Sequence, residues 1–214
     1  RLAYTQWLLG RDEEGELNRA SALELAERLN HPFTRTSAMV WAALLALDQH
    51  DNDRLRLYIE ALRSAKVAHG PKPVRLFVEA LEGYFDVFNG RAREGIARVR
   101  RSLDESREGE PAAPGLVAMH MRILLEACAR AGEASSGLAA AAEALVMGGG
   151  TQIWEAEIRR LRASFLLALD APRDSVEAEL QKAVEVARRQ GARSLELRAV
   201  ENLKNLRAGL AEER

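Results

Sequence analysis

Helix-breaking stretches recur along the chain at regular intervals. One series of polar, glycine- or proline-containing breaks falls at 10–15, 49–53, 89–94, 131–135 and 170–175. A second series alternates with the first, at 30–32, 69–73, 109–115, 147–150 and 190–193. Each series advances by about 40 residues, and a fixed period of that size is typical of arrays built from two-helix units. The spacing therefore predicts an all-α, right-handed superhelical solenoid of about five helical pairs and a closing helix.

The composition supports an all-helical chain with a substantial core. Ala, Leu, Glu and Arg dominate the sequence, and all four are good helix formers. Apolar residues make up 47% of the 214 residues, although aromatic residues account for only 5%. The 31 basic and 32 acidic residues are interspersed and leave a net charge of −1. Such a balance gives no long-range attraction to nucleic acid or to an anionic membrane, so we expect neither as a direct partner.

Cysteine content and hydropathy predict a location in the cytoplasm. Cys128 is the only cysteine, which excludes an internal disulfide and fits a reducing compartment. No apolar run approaches the roughly 20 residues that a membrane-spanning helix requires. The chain starts at Arg1, inside a segment with helical character. We therefore expect residues 1–214 to form a single helical-repeat domain that is a fragment of a longer protein.

Helix start and stop signals are clearest near the end of the chain. Asp174, followed three residues later by Glu177, has the spacing of a capping box at a helix start. Gly191 is placed where a left-handed helix terminator is expected, and Ser194 can cap the helix that follows. Glu196 then falls in the first turn of that helix, where the helix dipole favours an anion. The sequence thus gives Glu196 a structural role.

No catalytic signature is present. The chain has no dinucleotide-binding, zinc-protease or nucleophile-elbow motif, and "GGGT" at 148–151 lacks the lysine of a phosphate-binding loop. "DQHDND" at 48–53 lacks the spacing of a calcium loop and is interpreted as a solvated turn. Cys128 lies among alanines and is interpreted as a small buried hydrophobe. We expect no catalytic residue, no metal and no cofactor.

The repeat pattern resembles a degenerate tetratricopeptide (TPR) array with units longer than usual. "WEAEIRRLRASFLLAL" at 154–169 and "AELQKAVEVARRQGARSLELRA" at 178–199 are similar to the C-terminal TPR region of large bacterial signalling proteins. Those proteins carry a central ATPase module and often an N-terminal adenylate or guanylate cyclase, or a DNA-binding activator domain. Ala163-Ser164 departs from the Gly-Glu that the family usually has there. The resemblance implies a regulatory region beside an ATPase or output domain, with no enzyme activity of its own.

Helical spacing predicts which residues face the concave groove of such an array. The first helix of each pair lines that surface, and residues at fixed distances from the internal turns share one face. This rule selects two aromatic residues followed by a row of charged residues. In chain order they are Phe77, Tyr84, Arg122, Glu126, Glu157, Arg160, Arg198 and Glu201. We expect a protein, a peptide or a small effector to bind there.

Two alternatives remain open for these residues. The charges can instead pair between adjacent helices and set the stacking register, and Phe77 and Tyr84 can be core residues. For the whole chain, we expect a non-catalytic interaction or effector-sensing domain that regulates a signalling or transcription protein. The alternatives are a stacking module that forms a homodimer and, third, an enzyme built on a helical solenoid.

Overall fold

A computed structural model describes residues 1–64, 71–108, 114–147 and 149–209. These residues form eleven α-helices and one 3-10 helix, with no strand among them, so the all-α prediction is confirmed. The helices are α1 (Leu2–Leu8), α2 (Asp12–Leu29), α3 (Pro32–Asp48), α4 (Asn52–Ser64), α5 (Lys72–Phe88), α6 (Ala92–Arg107), α7 (Pro114–Ala131), α8 (Ala134–Met147), the 3-10 helix (Gly149–Trp154), α9 (Glu155–Ala168), α10 (Arg173–Gln190) and α11 (Arg193–Ala208). In the described part of the chain, no helix is both long and apolar enough to cross a membrane.

The predicted breaks separate the observed helices. Turns of two to four residues fall inside or beside the breaks near residues 10, 30, 50, 90, 132, 170 and 191. The break at 147–150 differs, because a 3-10 helix of six residues begins inside it, at Gly149, and runs to the start of α9. Residues 69–70 of one further break and residues 109–113 of another lie outside the described residues.

The helix boundaries that the sequence predicts near the C-terminus are partly confirmed. Gly191 ends α10 in the left-handed conformation with φ 67°, and Glu196 lies in the first turn of α11, both as predicted. The two predicted caps are wrong. Pro172 and Ala192 occupy the N-cap positions of α10 and α11, because each helix begins one residue before its predicted cap. Ser194 instead donates a hydrogen bond from Oγ to the Trp7 carbonyl oxygen, 2.5 Å away.

Successive helices pack as hairpins, and the first helices of successive pairs also touch. Contacts run from α1 to α3, α3 to α5, α5 to α7, α7 to α9 and α9 to α11, while each second helix packs against the first helices on either side of it. Helix α1 additionally contacts α11. The first and last described helices therefore meet.

The main hydrophobic core runs along the first helices and includes an aromatic group where the ends meet. The Tyr4 ring packs against Trp7, Trp41 and Trp154, with centroid distances of 5.6, 6.0 and 6.5 Å. Tilted and edge-to-face arrangements of this kind are favourable for aromatic pairs. The short helix α1 is thus held by residues that are distant in the sequence.

A pair of glycines allows α5 and α6 to approach closely. A Cβ atom placed on Gly83 would lie 2.7 Å from the Gly95 carbonyl oxygen and 2.7 Å from Val99 Cγ2. A Cβ on Gly95 would lie 2.8 Å from the Val87 backbone nitrogen. Since backbone atoms cannot move aside individually, any larger residue must separate the two helices.

We predict that Gly95→Ala lowers the free energy of unfolding by about 1–3 kcal/mol, the usual cost of overpacking a close contact. Gly115→Ala is the matched control, because Gly115 is also helical and a Cβ there meets nothing within 4 Å. The control should be neutral or stabilising by up to about 1 kcal/mol. Urea denaturation of both variants measures the difference, and equal effects would contradict the close-packing explanation.

Candidate functional site

Arg122 on α7 is buried at the centre of the first helices, with 1% of its surface exposed. Its Nη2 atom lies 2.5 Å from Asp48 Oδ1 on α3 and 2.7 Å from Glu126 Oε1 one turn further along α7. Glu157 Oε1 on α9 lies 3.6 Å from the same nitrogen. One guanidinium therefore joins three helices through three carboxylates.

Two further arginines balance these carboxylates. Arg160 donates from Nε and Nη2 to the two oxygens of Glu157, each at 2.9 Å. Arg198 on α11 places Nη1 3.4 Å from Glu157 Oε1 and donates from Nη2 to the Asp48 carbonyl oxygen. We call this set of three acidic and three basic side chains the Arg122 cluster; its members are Asp48, Arg122, Glu126, Glu157, Arg160 and Arg198.

Burial and charge pairing act in opposite directions on the pKa values in the Arg122 cluster. Burial disfavours the ionised form of Glu126 and Glu157, but neighbouring guanidinium groups outweigh it. The pKa of Glu157 falls to about 2, chiefly through Arg160, and the pKa of Glu126 falls well below its usual range, chiefly through Arg122. For Asp48, burial is the stronger effect and raises the pKa.

The Arg122 cluster is connected to the aromatic group of α1. The Tyr4 hydroxyl donates to Asp48 Oδ2, and Trp154 Nε1 donates to the Tyr4 hydroxyl oxygen at 2.6 Å. Burial raises the pKa of Tyr4 well above its ordinary value, so this hydroxyl stays a donor at neutral pH. The polar atoms at the centre of the fold thus form one network with α1.

An open cleft with a volume of about 1130 Å³ lies beside the Arg122 cluster, at the turn ends of the first helices. The last turns of α5, α7, α9 and α11 contribute to its wall. Glu126 and Arg160 belong both to the Arg122 cluster and to this wall. At the edge of the cleft, His50 Nε2 lies 3.7 Å from Glu126 Oε1.

The cleft is suited to binding an amphipathic group. Its apolar side chains include Phe88, Leu161 and Phe165, and the guanidinium carbon of Arg130 lies 4.3 Å from the Phe88 ring centroid. Cys128 also lines the cleft, and burial raises the pKa of its thiol to about 11, so only a small fraction is the reactive thiolate at neutral pH. Among the described residues, no group of three or more His, Cys, Asp or Glu is placed to hold a metal ion.

The structure brings together five of the eight residues predicted to line a groove. Arg122, Glu126, Glu157, Arg160 and Arg198 meet in the Arg122 cluster, where the first three are buried. Their contacts agree with the alternative in which the charges pair between helices. Binding of a partner by these side chains stays a prediction, and a partner that touched Arg122 would first have to open the Arg122 cluster.

The other three predicted residues occupy different environments. Phe77 is buried in the core and packs edge-to-face against His120 at a centroid distance of 6.5 Å. Tyr84 is buried but contributes to the wall of the cleft, and its hydroxyl lies 3.4 Å from Asn52 Oδ1. Glu201 is exposed on α11, and no described contact joins it to the Arg122 cluster.

Asp48 is the main residue that sequence reasoning placed wrongly. The pattern at 48–53 predicts a solvated turn, but Asp48 is the last residue of α3 and only 1% exposed. The apolar run "AALLAL" at 42–47 continues without interruption to Asp48, and this run is the sequence feature that indicates a buried position.

The prediction that Cys128 is buried is confirmed, since its side chain is fully buried. The contact between Tyr4 and Trp154 could not be predicted from local sequence patterns, because 150 positions separate the two residues.

Comparison with known proteins gives one informative similarity. The chain is 28% identical over 217 aligned residues to an uncharacterized protein of Rhizobium meliloti (strain 1021). The alignment covers 96% of this chain but 20% of the relative, so the chain spans about a fifth of that protein's length. No family model matches the chain, and no solved structure matches it.

We predict that Arg122→Met destabilises the fold by about 3–5 kcal/mol, because it leaves buried carboxylates without their shared cation. Arg207→Met is the matched control, since Arg207 pairs with Glu177 on the surface. An exposed pair contributes at most about 1 kcal/mol. Chemical denaturation monitored by circular dichroism measures both losses. A loss for Arg122→Met no larger than that of the control would contradict the proposed importance of the Arg122 cluster.

We predict that stability falls as the pH is lowered from about 4.5 towards 2. The pKa values of Glu126 and Glu157 are lower in the folded than in the unfolded chain, so their contribution is complete above the unfolded value of 4.5 and is lost as the pH approaches the folded values. Asp48, whose pKa is raised, acts in the opposite direction. Urea titrations at several pH values check the slope, which Glu157→Gln should reduce. An unchanged slope in that variant would exclude Glu157 as a source.

Proposed function

We propose that this chain is a non-catalytic binding region, built as a TPR-like right-handed superhelix, that senses a protein, a peptide or a small effector. The cleft at the turn ends of the first helices is the observation that carries the proposal. It is open and concave, and it combines apolar side chains with a few charged groups, which is the usual character of a ligand site.

The succession of helices supports the finer description of the fold. Two-helix units of about 40 residues repeat along the sequence, and the first helices of neighbouring units pack side by side. In arrays of this kind the first helices line the inner surface, and loops at one edge vary to suit a partner. The cleft here is formed where those loops and the last turns of the first helices meet.

A regulatory role follows from the resemblance to C-terminal regions of bacterial signalling proteins and from the length of the Rhizobium meliloti relative. In that relative the aligned region is about a fifth of the chain, which is long enough to hold further domains. Occupancy of the cleft would then change the curvature of the superhelix and bias a neighbouring ATPase or output domain. No activity of those domains is assigned to the present chain.

Self-association is a second candidate, favoured by exposed apolar side chains on α2 and at the start of α3. Leu25, Leu29 and Phe33 are 48%, 58% and 67% exposed. Only Gly15 and Ala26 of the eighteen residues of α2 are buried. A face of this kind can be covered by a second copy of the chain.

Site-specific photocrosslinking in bacterial lysate tests the proposal. A photoreactive residue replaces Leu167, which lines the cleft, or Leu57, which is exposed on α4 outside it. We expect a species that crosslinks at position 167 and not at position 57, identified by mass spectrometry. The isolated species should then bind the unmodified chain in a calorimetric titration.

A variant that fills the cleft makes this test specific. Ala168→Trp places a large side chain at the cleft wall and should weaken binding at least tenfold, equivalent to about 1.4 kcal/mol. Leu57→Trp should leave the affinity unchanged. Identical crosslinking at both positions, or full affinity in Ala168→Trp, would overturn the assignment of the cleft. A third probe in place of Phe33 tests the alternative, and a crosslink from it to a second copy of this chain would favour self-association.

A further inference from the structure

The contact between the two ends of the described chain depends on α11. Ser194 donates to the Trp7 carbonyl oxygen at 2.5 Å, and the guanidinium carbon of Arg198 lies 5.2 Å from the Trp7 ring centroid. Arg198 also donates to the Asp48 carbonyl oxygen at the end of α3. A single side chain, Arg198, therefore contacts α1 and α3 from α11.

The Arg122 cluster connects this contact to the cleft in three steps. Glu126, in the wall of the cleft, pairs with Arg122 at 2.7 Å. Arg122 also lies 3.6 Å from Glu157, and Glu157 lies 3.4 Å from Arg198. Arg122, Glu126 and Glu157 are buried, so solvent screens the first two contacts only weakly, whereas the Arg198 side chain in the third contact is 25% exposed.

Arg122 has few alternative hydrogen-bond acceptors if Glu126 moves away from it. Its Nε and Nη1 atoms are buried and make no hydrogen bond within the described residues. A buried guanidinium that loses a carboxylate must find another acceptor or leave a charge uncompensated. The acceptors within reach are Asp48 and Glu157, which also hold Arg198 through its contacts with their oxygens.

We propose that occupancy of the cleft and the contact between α1 and α11 are energetically coupled through the Arg122 cluster. The ligand side of this inference rests on the proposed function of the cleft, whereas the coupling is a property of the protein alone. A ligand that draws Glu126 away from Arg122 shifts Asp48 and Glu157 towards Arg122 and weakens the hold on Arg198. Coupling is reciprocal, so loosening α1 from α11 changes the cleft as well.

Distance measurements between spin labels test the coupling without a ligand. Labels are attached at Leu2→Cys on α1 and Leu197→Cys on α11, both exposed positions. Cys128 can remain, because it is buried and its thiol pKa is raised to about 11. Glu126→Gln removes the charge at the wall of the cleft while keeping the shape of the side chain. We expect loss of the short-distance population and the appearance of a longer one.

Two controls separate coupling from general loss of stability. Leu103→Ala, in the core of α6, should lower the melting temperature without changing the label distance in the folded protein. Arg207→Gln breaks a surface pair on α11 outside the Arg122 cluster and should also leave the distance unchanged. A Glu126→Gln variant that is folded and keeps the original distance would overturn the proposal, as would a matching shift in Leu103→Ala.

The reciprocal measurement covers the case in which Glu126→Gln does not fold. Ser194→Ala removes one hydrogen bond between α11 and α1, and Cys128 in the cleft wall reports the effect through its reaction rate with a thiol reagent. We expect the rate to rise several-fold relative to the wild type, whereas Arg207→Gln leaves it unchanged. An unchanged rate in Ser194→Ala would contradict coupling. Because no ligand is used, either failure leaves the crosslinking test of the proposed function unaffected.

Discussion

The burial of Arg122 is the constraint on which the rest of the structure depends. A guanidinium cannot lose its proton at physiological pH, so its removal from water must be compensated by anions and acceptors nearby. Asp48, Glu126 and Glu157 provide them from α3, α7 and α9. These helices therefore cannot slide along one another without breaking a buried pair. An apolar residue at position 122 would allow tighter packing but would not fix how α3, α7 and α9 align along one another. Fixing such a register is the best-attested role of buried polar groups.

The same network explains why such a short helix as α1 is held in place. Its seven residues are too few for independent stability. Tyr4 donates to Asp48 and accepts from Trp154, while Trp7 is covered by Arg198 and accepts from Ser194. Where each helix pair contacts only its neighbours, a local change has a local effect. The contact of α1 with α11 adds a direct connection between the first and last described helices.

Local features could be predicted from the sequence, and long-range ones could not. Breaks such as Gly191 identify the helices because backbone conformation there depends on a few adjacent residues. Helical spacing also found five members of the Arg122 cluster, since counting along a helix identifies its inner face. It did not show that α1 and α11 meet, because that contact depends on how all the helices between them pack. Asp48 was missed for the same reason: a carboxylate beside a turn is normally solvated, and its cation lies 74 positions away.

The lining of the cleft combines turn residues with two members of the Arg122 cluster. Gly90, Gly132 and Asp170 are turn residues at its edge with φ of 82°, 71° and 54°, so a larger side chain on either glycine is strained even though its Cβ would meet nothing within 4 Å. Glu126 and Arg160 are held by charged partners of the Arg122 cluster, so their substitution disturbs that cluster. In the proposed coupling, a ligand in the cleft would therefore act on the fold through Glu126, because Glu126 is the lining residue that contacts Arg122 directly.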